Sequence, residues 1–179
     1  AGDEAGYKVS LSSNGSIIAI GSNANDGNGT DAGQVRVFEY SGSSWIQMGS
    51  DIFGDVAGDR MGYGISLSSD GLTCAVGAMG NQNFTGQVKV YEFVSNSWNQ
   101  IGSDIVGENQ GDLFGFDLSL SSDGETLLIG GYSNDGNGTN AGHVRVFENV
   151  NSTWMQKCSD IDGEYAGDLF GISNAISSD

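Results

Sequence analysis

The residues able to do chemistry in this chain are carboxylates, and they gather in glycine-rich segments. Asp26-Gly27-Asn28-Gly29-Thr30-Asp31 and Asp135-Gly136-Asn137-Gly138-Thr139-Asn140 are the densest. Oxygen donors packed this closely suit a hard cation such as Ca²⁺. Asp26, Asp31 and Asp135 are therefore candidate metal ligands. The EF-hand spacing is not met, because Gly27 stands where a ligand should. Asn-Gly and Asp-Gly are also common turn formers, and the turn reading is preferred to the calcium reading. No cofactor is required by the sequence, and Ca²⁺ is the one weighed.

A catalytic constellation is not expected. His143 is the only histidine, and glutamine stands at the equivalent positions 34 and 87. A base that is glutamine in sister copies is a poor anchor for a triad, so an ordinary surface role is expected. There is no nucleophile elbow, zinc-protease motif or CxxC pair. Acidic pairs of the glycosidase type abound without one pair standing out. The chain is read as a non-enzyme.

These segments are positioned by a repeat. Ser44-Trp45-Ile46-Gln47 returns as Ser97-Trp98-Asn99-Gln100 and as Thr153-Trp154-Met155-Gln156, with Ser-Asp-Ile following in each case. The period is about 54 residues, the size of a stacked supersecondary unit. In the third unit Phe116–Leu120 alternates apolar and polar residues, as a half-buried strand does. Ser121-Ser122-Asp123-Gly124 turns the chain. Thr126–Ile129 is a continuous apolar run, suited to a strand covered on both faces. Val144–Glu148 and a strand opening at Thr153–Gln156 follow. Four antiparallel strands per unit, with no helical periodicity, predict an all-β fold of propeller-type blades. The units run approximately 7–62, 63–115 and 116–171. Residues 172–179 open a further unit, and a leading fragment precedes the first. Such a chain is either a piece of a larger propeller, the preferred reading, or a unit that associates with its own copies. A solenoid or sandwich is the competing architecture.

The net charge of −17 disfavours nucleic acid and anionic membranes as partners and favours cations and basic surfaces. No apolar run is long enough to span a membrane. Cys74 and Cys158 occupy unrelated repeat positions, so both are read as free thiols, Cys74 buried. Asn14, Asn28, Asn83, Asn137 and Asn151 each begin an Asn-x-Ser/Thr sequon, which supports secretion and N-glycosylation.

Other positions recur in all three units. Trp45, Trp98 and Trp154 are expected in equivalent buried packing sites. Arg36, Lys89 and Arg145 share one position, three residues before Glu39, Glu92 and Glu148. Structural ion pairs are expected there, with Asp59, Asp112 and Asp168 of the Gly-Asp linkers as partners. Strand order places the linkers and the second-to-third-strand loops at one edge of every blade. That edge holds most of the 23 acidic residues.

Gly58-Asp59 before Gly62, Gly111-Asp112 before Phe114-Gly115, and Gly167-Asp168 before Phe170-Gly171 are each followed by a strand. Ser-Asp-Gly, an apolar strand ending in Gly, and Gly-x-Val-x-Val-Phe/Tyr complete the order. This ordered set resembles the FG-GAP repeat, the blade unit of the integrin α-subunit propeller, over essentially the whole chain. The resemblance implies a secreted or cell-surface propeller with a structural or adhesive role. Two departures stand out. Ala5 and Met61 replace the phenylalanine in two copies, and the connections at Asn14, Asp70 and Asp123 are too short for that family's calcium loop. Its calcium sites are not expected here. Partners would be proteins or glycans at the cell surface or in a matrix, with self-association a further option. The alternatives are a cation-dependent lectin and a hydrolase built on loop carboxylates.

Overall fold

The computed structural model describes residues 2–177. Three antiparallel sheets follow one another along the chain. The first blade has β1 (Val9–Leu11), β2 (Ile17–Ser22), β3 (Gln34–Tyr40) and β4 (Trp45–Gln47) in that order, with β5 (Ile52–Phe53) also pairing with β3. The second has β6 (Met61–Leu67), β7 (Thr73–Ala78), β8 (Gln87–Val94), β9 (Ser97–Gln100) and β10 (Ile105–Val106). The third has β11 (Leu118–Leu120), β12 (Thr126–Gly131), β13 (His143–Asn149), β14 (Trp154–Gln156) and β15 (Ile161–Asp162).

The two-residue fifth strand was not expected. It runs beside the start of the third strand, Val35 opposite Ile52 and Val144 opposite Ile161. It thereby draws each linker against the second-to-third-strand loop. The first strand of the third blade is shorter than its alternation suggests: Phe116 and Asp117 form a bend, and the ladder begins at Leu118 opposite Ile129. Among the described residues helix is confined to one four-residue turn at Asn81–Phe84. The second blade's loop is the short one, and it closes by placing Gln82, Asn83 and Phe84 at φ of 49, 58 and 66°.

The core lies between blades rather than within them. Ile17, Ala19 and Val37 of the first blade pack on Ile65, Leu67 and Cys74 of the second. Val88, Val90 and Ala75 of the second pack on Leu118, Leu120 and Leu127 of the third. Burial on that scale is the main stabilising term. Cys74 is fully buried, and desolvation pushes its thiol up to about 12, while Cys158 is exposed.

Polar ladders repeat across each seam. Leu67 N–H donates to Ser10 Oγ, Leu120 N–H to Ser66 Oγ and Ile176 N–H to Ser119 Oγ, at 3.0, 3.0 and 3.2 Å. The Ser-Ser-Asn/Asp-Gly turns join hands too, Ser13 N–H to Ser69 O and Ser69 N–H to Ser122 O. Within them Asp123 accepts from Ser121 Oγ and the Glu125 N–H, which holds its carboxyl below the usual range.

Residues 172–177 form no strand, unlike the expected trailing one. They dock where a following first strand would sit, through Ser119 and through Asp117, which accepts from the Asn174 N–H at 2.6 Å. Ser178 and Asp179 fall outside the described residues. No helix among the described residues is long and apolar enough to cross a membrane.

The tryptophans are not in like environments. Trp98 packs over Gly49 of the preceding blade and donates Nε1–H to Met48 O at 2.9 Å. Trp154 packs over Gly102, but its buried Nε1–H has no partner. Among the described residues no blade precedes that of Trp45, which is 47% exposed and stacks on Tyr40. The expectation of three buried tryptophans is thus corrected: each ring is a seam residue, and its burial depends on a neighbour.

Candidate functional site

The acidic edge is built by tying each linker to the loops around it. Gly80 N–H donates to Asp59 O, Arg60 N–H to Asp31 O, and Leu113 N–H to Phe84 O. Asn28 Nδ2 reaches Gly54 O at 2.7 Å, and Asn137 Nδ2 reaches Gly163 O at 2.9 Å. The loops are therefore braced by main-chain contacts before any ligand arrives.

The candidate calcium residues face their own turns. Asp26 Oδ1 accepts from the Asp31 N–H at 2.9 Å, and Asp135 Oδ1 accepts from the Asn140 N–H at 2.8 Å. Asp31 itself takes a left-handed φ of 52°. The three are not brought together: Asp26 and Asp31 share one loop, and Asp135 lies two blades on. Of the sequon residues, Asn14, Asn28, Asn83, Asn137 and Asn151 are all exposed.

The linker aspartates do not pair with the recurring bases, and this corrects the sequence reading. Asp59 accepts from the Asp55 and Val56 N–H groups and from Asn81 Nδ2. Asp112 accepts from the Asn109 N–H and from Asn134 Nδ2. Asp168 is exposed and keeps its turn bond to the Tyr165 N–H. These carboxylates close turns and clamp neighbouring blades.

The bases find other acids. Lys89 Nζ lies 2.6 Å from Asp55 Oδ2 and 3.7 Å from Asp104 Oδ1. Arg145 lies 3.5 Å from Asp160, shares Gln156 Oε1, and rests over Phe114 and Phe147. Arg36 stacks on Phe38, and its buried Nε has no partner. Glu39, Glu92 and Glu148 sit an odd number of residues along the strand from these bases. Alternation sends them to the opposite face, where Glu148 meets Lys157.

His143 is not a surface residue. It is fully buried, edge-on to Phe114 and 3.3 Å from Asp160. Its strand position is the same one that buries Gln34 and Gln87.

Sequence reasoning also missed an aromatic row. Tyr7, Tyr63 and Phe116 each follow the glycine that opens a first strand, and their rings stand 4.5 and 5.0 Å apart, with Tyr132 4.6 Å beyond Phe116. The Tyr7 hydroxyl donates to that of Tyr63. Burial and the neighbouring Tyr7 push the Tyr63 phenol well above its ordinary value. The signal was present in the recurring Gly-aromatic dipeptide. Between the linker of the second blade and the long loop of the third, a polar cleft of about 520 Å³ is lined by Asn109, Gln110, Asp112, Ser133, Asp135 and Thr139.

Comparison with described protein families and with curated proteins finds no match. Solved structures do match in shape. Kuenenia stuttgartiensis hydrazine synthase aligns at a TM-score of 0.52 and 12% identity, over 88% of this chain and 37% of that one. The β-propeller domain of the Trilobed protease from Pyrococcus furiosus, described as having an open velcro topology, aligns at 0.50 and 13% identity. That match covers 87% of this chain and 41% of the other. The chain thus spans about two fifths of the length of the structures it matches. Identity this low carries the fold and nothing of activity. With the sheet order already described, it makes the chain a β-propeller-type repeat of three successive antiparallel blades.

Proposed function

We propose that this chain is part of a secreted or cell-surface adhesive propeller of the FG-GAP type, whose acidic edge presents loops to a protein or glycan partner without a catalytic step. The observation that carries the reading is the bracing of the acidic loops. Their carboxylates are spent on turns and seams, and what remains outward is a rigid, negatively charged edge. Such a field favours basic partners and weakens with salt. The test immobilises the chain and measures binding of a cationic peptide and of neutral oligosaccharides at low salt and at about 0.15 M salt. Peptide binding that falls with salt, or oligosaccharide binding that does not, supports the reading. Binding of neither would sink it.

A specific observation favours glycan among these partners. Tyr7 is 46% exposed at the end of the aromatic row and Tyr165 is 70% exposed beside Glu164, so aromatic faces flank hydrogen-bonding loops. Sugar rings stack on such faces while hydroxyls bond to the polar groups around them. Tyr7→Ala and Tyr165→Ala should then weaken oligosaccharide binding and leave peptide binding unchanged.

The secretory reading has its own check. Asn28 and Asn137 use their amide nitrogens to hold the linkers, whereas Asn14 engages its neighbours through Oδ1. On natural material, glycan is expected at Asn14, Asn83 and Asn151 ahead of Asn28 and Asn137. Site-resolved mass measurement before and after glycosidase treatment decides it, and an unmodified chain would remove the secretory argument.

A further inference from the structure

The seam between the second and third blades holds a cluster that neither other blade repeats. Each seam brings together two acids: one from the linker of the blade before, and one just after the fourth strand of the blade itself. In the second blade these are Asp55 and Asp104, and the Lys89 ammonium sits between them. In the third blade the equivalents are Glu108 and Asp160, and the base is Arg145. Its longer side chain is drawn aside to Gln156 Oε1, to Val106 O and over two phenylalanine rings. The slot that a cation fills in one seam is therefore left to a different group in the next. That group is His143, where the second blade has Gln87.

The chemistry of the slot is specific. One ligand atom each from Glu108, His143 and Asp160 lies within 4.8 Å of the others. His143 is 0% exposed, and neither ring nitrogen has a hydrogen-bond partner. An unpaired buried imidazole is costly unless something else satisfies it. Nδ1 stands 3.3 Å from Asp160 Oδ2, about the ligand-to-ligand edge of a tetrahedron with 2.0 Å bonds. The two oxygens of Asp160 are divided: Oδ1 takes Gln156 and Arg145, and Oδ2 is turned to the histidine. Glu108 is exposed, so it offers a path in from solvent.

We propose that Glu108, His143 and Asp160 form a binding site for a borderline transition-metal dication of the zinc class, with water completing the shell. Imidazole with two carboxylates suits Zn²⁺, Co²⁺ or Ni²⁺, whereas Ca²⁺ and Mg²⁺ prefer all-oxygen shells. Arg145, 3.5 Å from Asp160, lowers the local negative charge, and its single charge does not cancel those of both carboxylates. The assignment is independent of the adhesive reading above. It does not use the loops around Asp26 and Asp135.

The test titrates the whole chain with Co²⁺ and then Zn²⁺, in a Cys158→Ser background that removes the exposed thiol. Visible d–d absorption reports the Co²⁺ site, and Zn²⁺ should displace it at one equivalent. His143→Gln installs the residue that the second blade carries at the same strand position, so it is a variant compatible with the fold. That change, and Glu108→Gln separately, should weaken Zn²⁺ binding by more than the roughly 10- to 100-fold seen when only an outer-shell partner is lost. Zn²⁺ should also raise the melting temperature of the parent and not of His143→Gln. Three results would each overturn the assignment. They are no stoichiometric uptake, unchanged affinity in His143→Gln, and displacement of Co²⁺ by millimolar Ca²⁺ as readily as by Zn²⁺.

Discussion

Gly77→Ala is expected to destabilise the chain by about 3 kcal/mol, although it adds a single methyl group. The next-to-last residue of each second strand is a glycine that lies against the backbone of a glycine following the next Gly-Asp linker. Gly21 meets Gly62, Gly77 meets Gly115, and Gly130 meets Gly171, so that a Cβ would stand 2.2, 2.0 and 2.0 Å from the facing carbonyl oxygen. Backbone cannot retreat as a flexible side chain can, so the blades would have to part. The sign is informative. Gly77 does not sit at positive φ, and at an unstrained position Gly→Ala normally stabilises by about 0.4–1 kcal/mol through the unfolded chain. A large loss therefore reports the seam alone. Gly58→Ala is the control: its φ is 85° and nothing lies within 4 Å of its Cβ. It should cost about 1 kcal/mol, from backbone strain only. Urea unfolding of the three proteins measures both. If Gly77→Ala matched the parent, the blades would not approach to backbone contact.

The same contact explains how much of the fold could be read from the sequence. The recurring glycines, the Trp motif and the alternating strands were visible because blade packing demands them in every copy. The fifth strands were not, since two residues such as Ile105-Val106 carry no periodicity. Nor were the left-handed residues that follow each Gly-Asp, at φ of 54, 55, 57 and 53° for Glu4, Arg60, Leu113 and Leu169. Their side chains have nothing in common, and the conformation is imposed by main-chain bonds such as Arg60 N–H to Asp31 O. The site was legible only in part. His143 was discounted because its sister residues are glutamine, yet those glutamines are themselves buried. A repeat position fixes burial, and the residue placed there fixes the chemistry. Charge pairing was misassigned for a related reason: an acid and a base that recur together need not touch, because strand alternation and loop closure decide which partners meet.

The linker aspartate is the second place where one change should have a large effect. Asp59→Ala is expected to cost about 3 kcal/mol or more, since a buried donor left without an acceptor costs about 1–3 kcal/mol. Asp59 is 1% exposed and serves three donors: the Asp55 N–H at 2.8 Å, the Val56 N–H at 3.0 Å and Asn81 Nδ2 at 3.1 Å. The first two close the turn that ends the linker, and the third belongs to the next blade. The pairing recurs, Asn25 with Asp3 at 2.9 Å and Asn134 with Asp112 at 3.0 Å. Every partner donates, so the position requires an acceptor rather than a salt bridge. Asp59→Asn should then lose less than alanine, because one oxygen remains, although its NH₂ group must face a donor. Asn81→Ala should cost less than Asp59→Ala, since the turn stays closed. In a double-mutant cycle the two alanine changes should cost less together than their sum, because the shared bond can be lost only once. Additive losses would mean that the aspartate closes its own turn and nothing more. The clamp between blades would then rest on the glycine contact and the buried apolar seam alone.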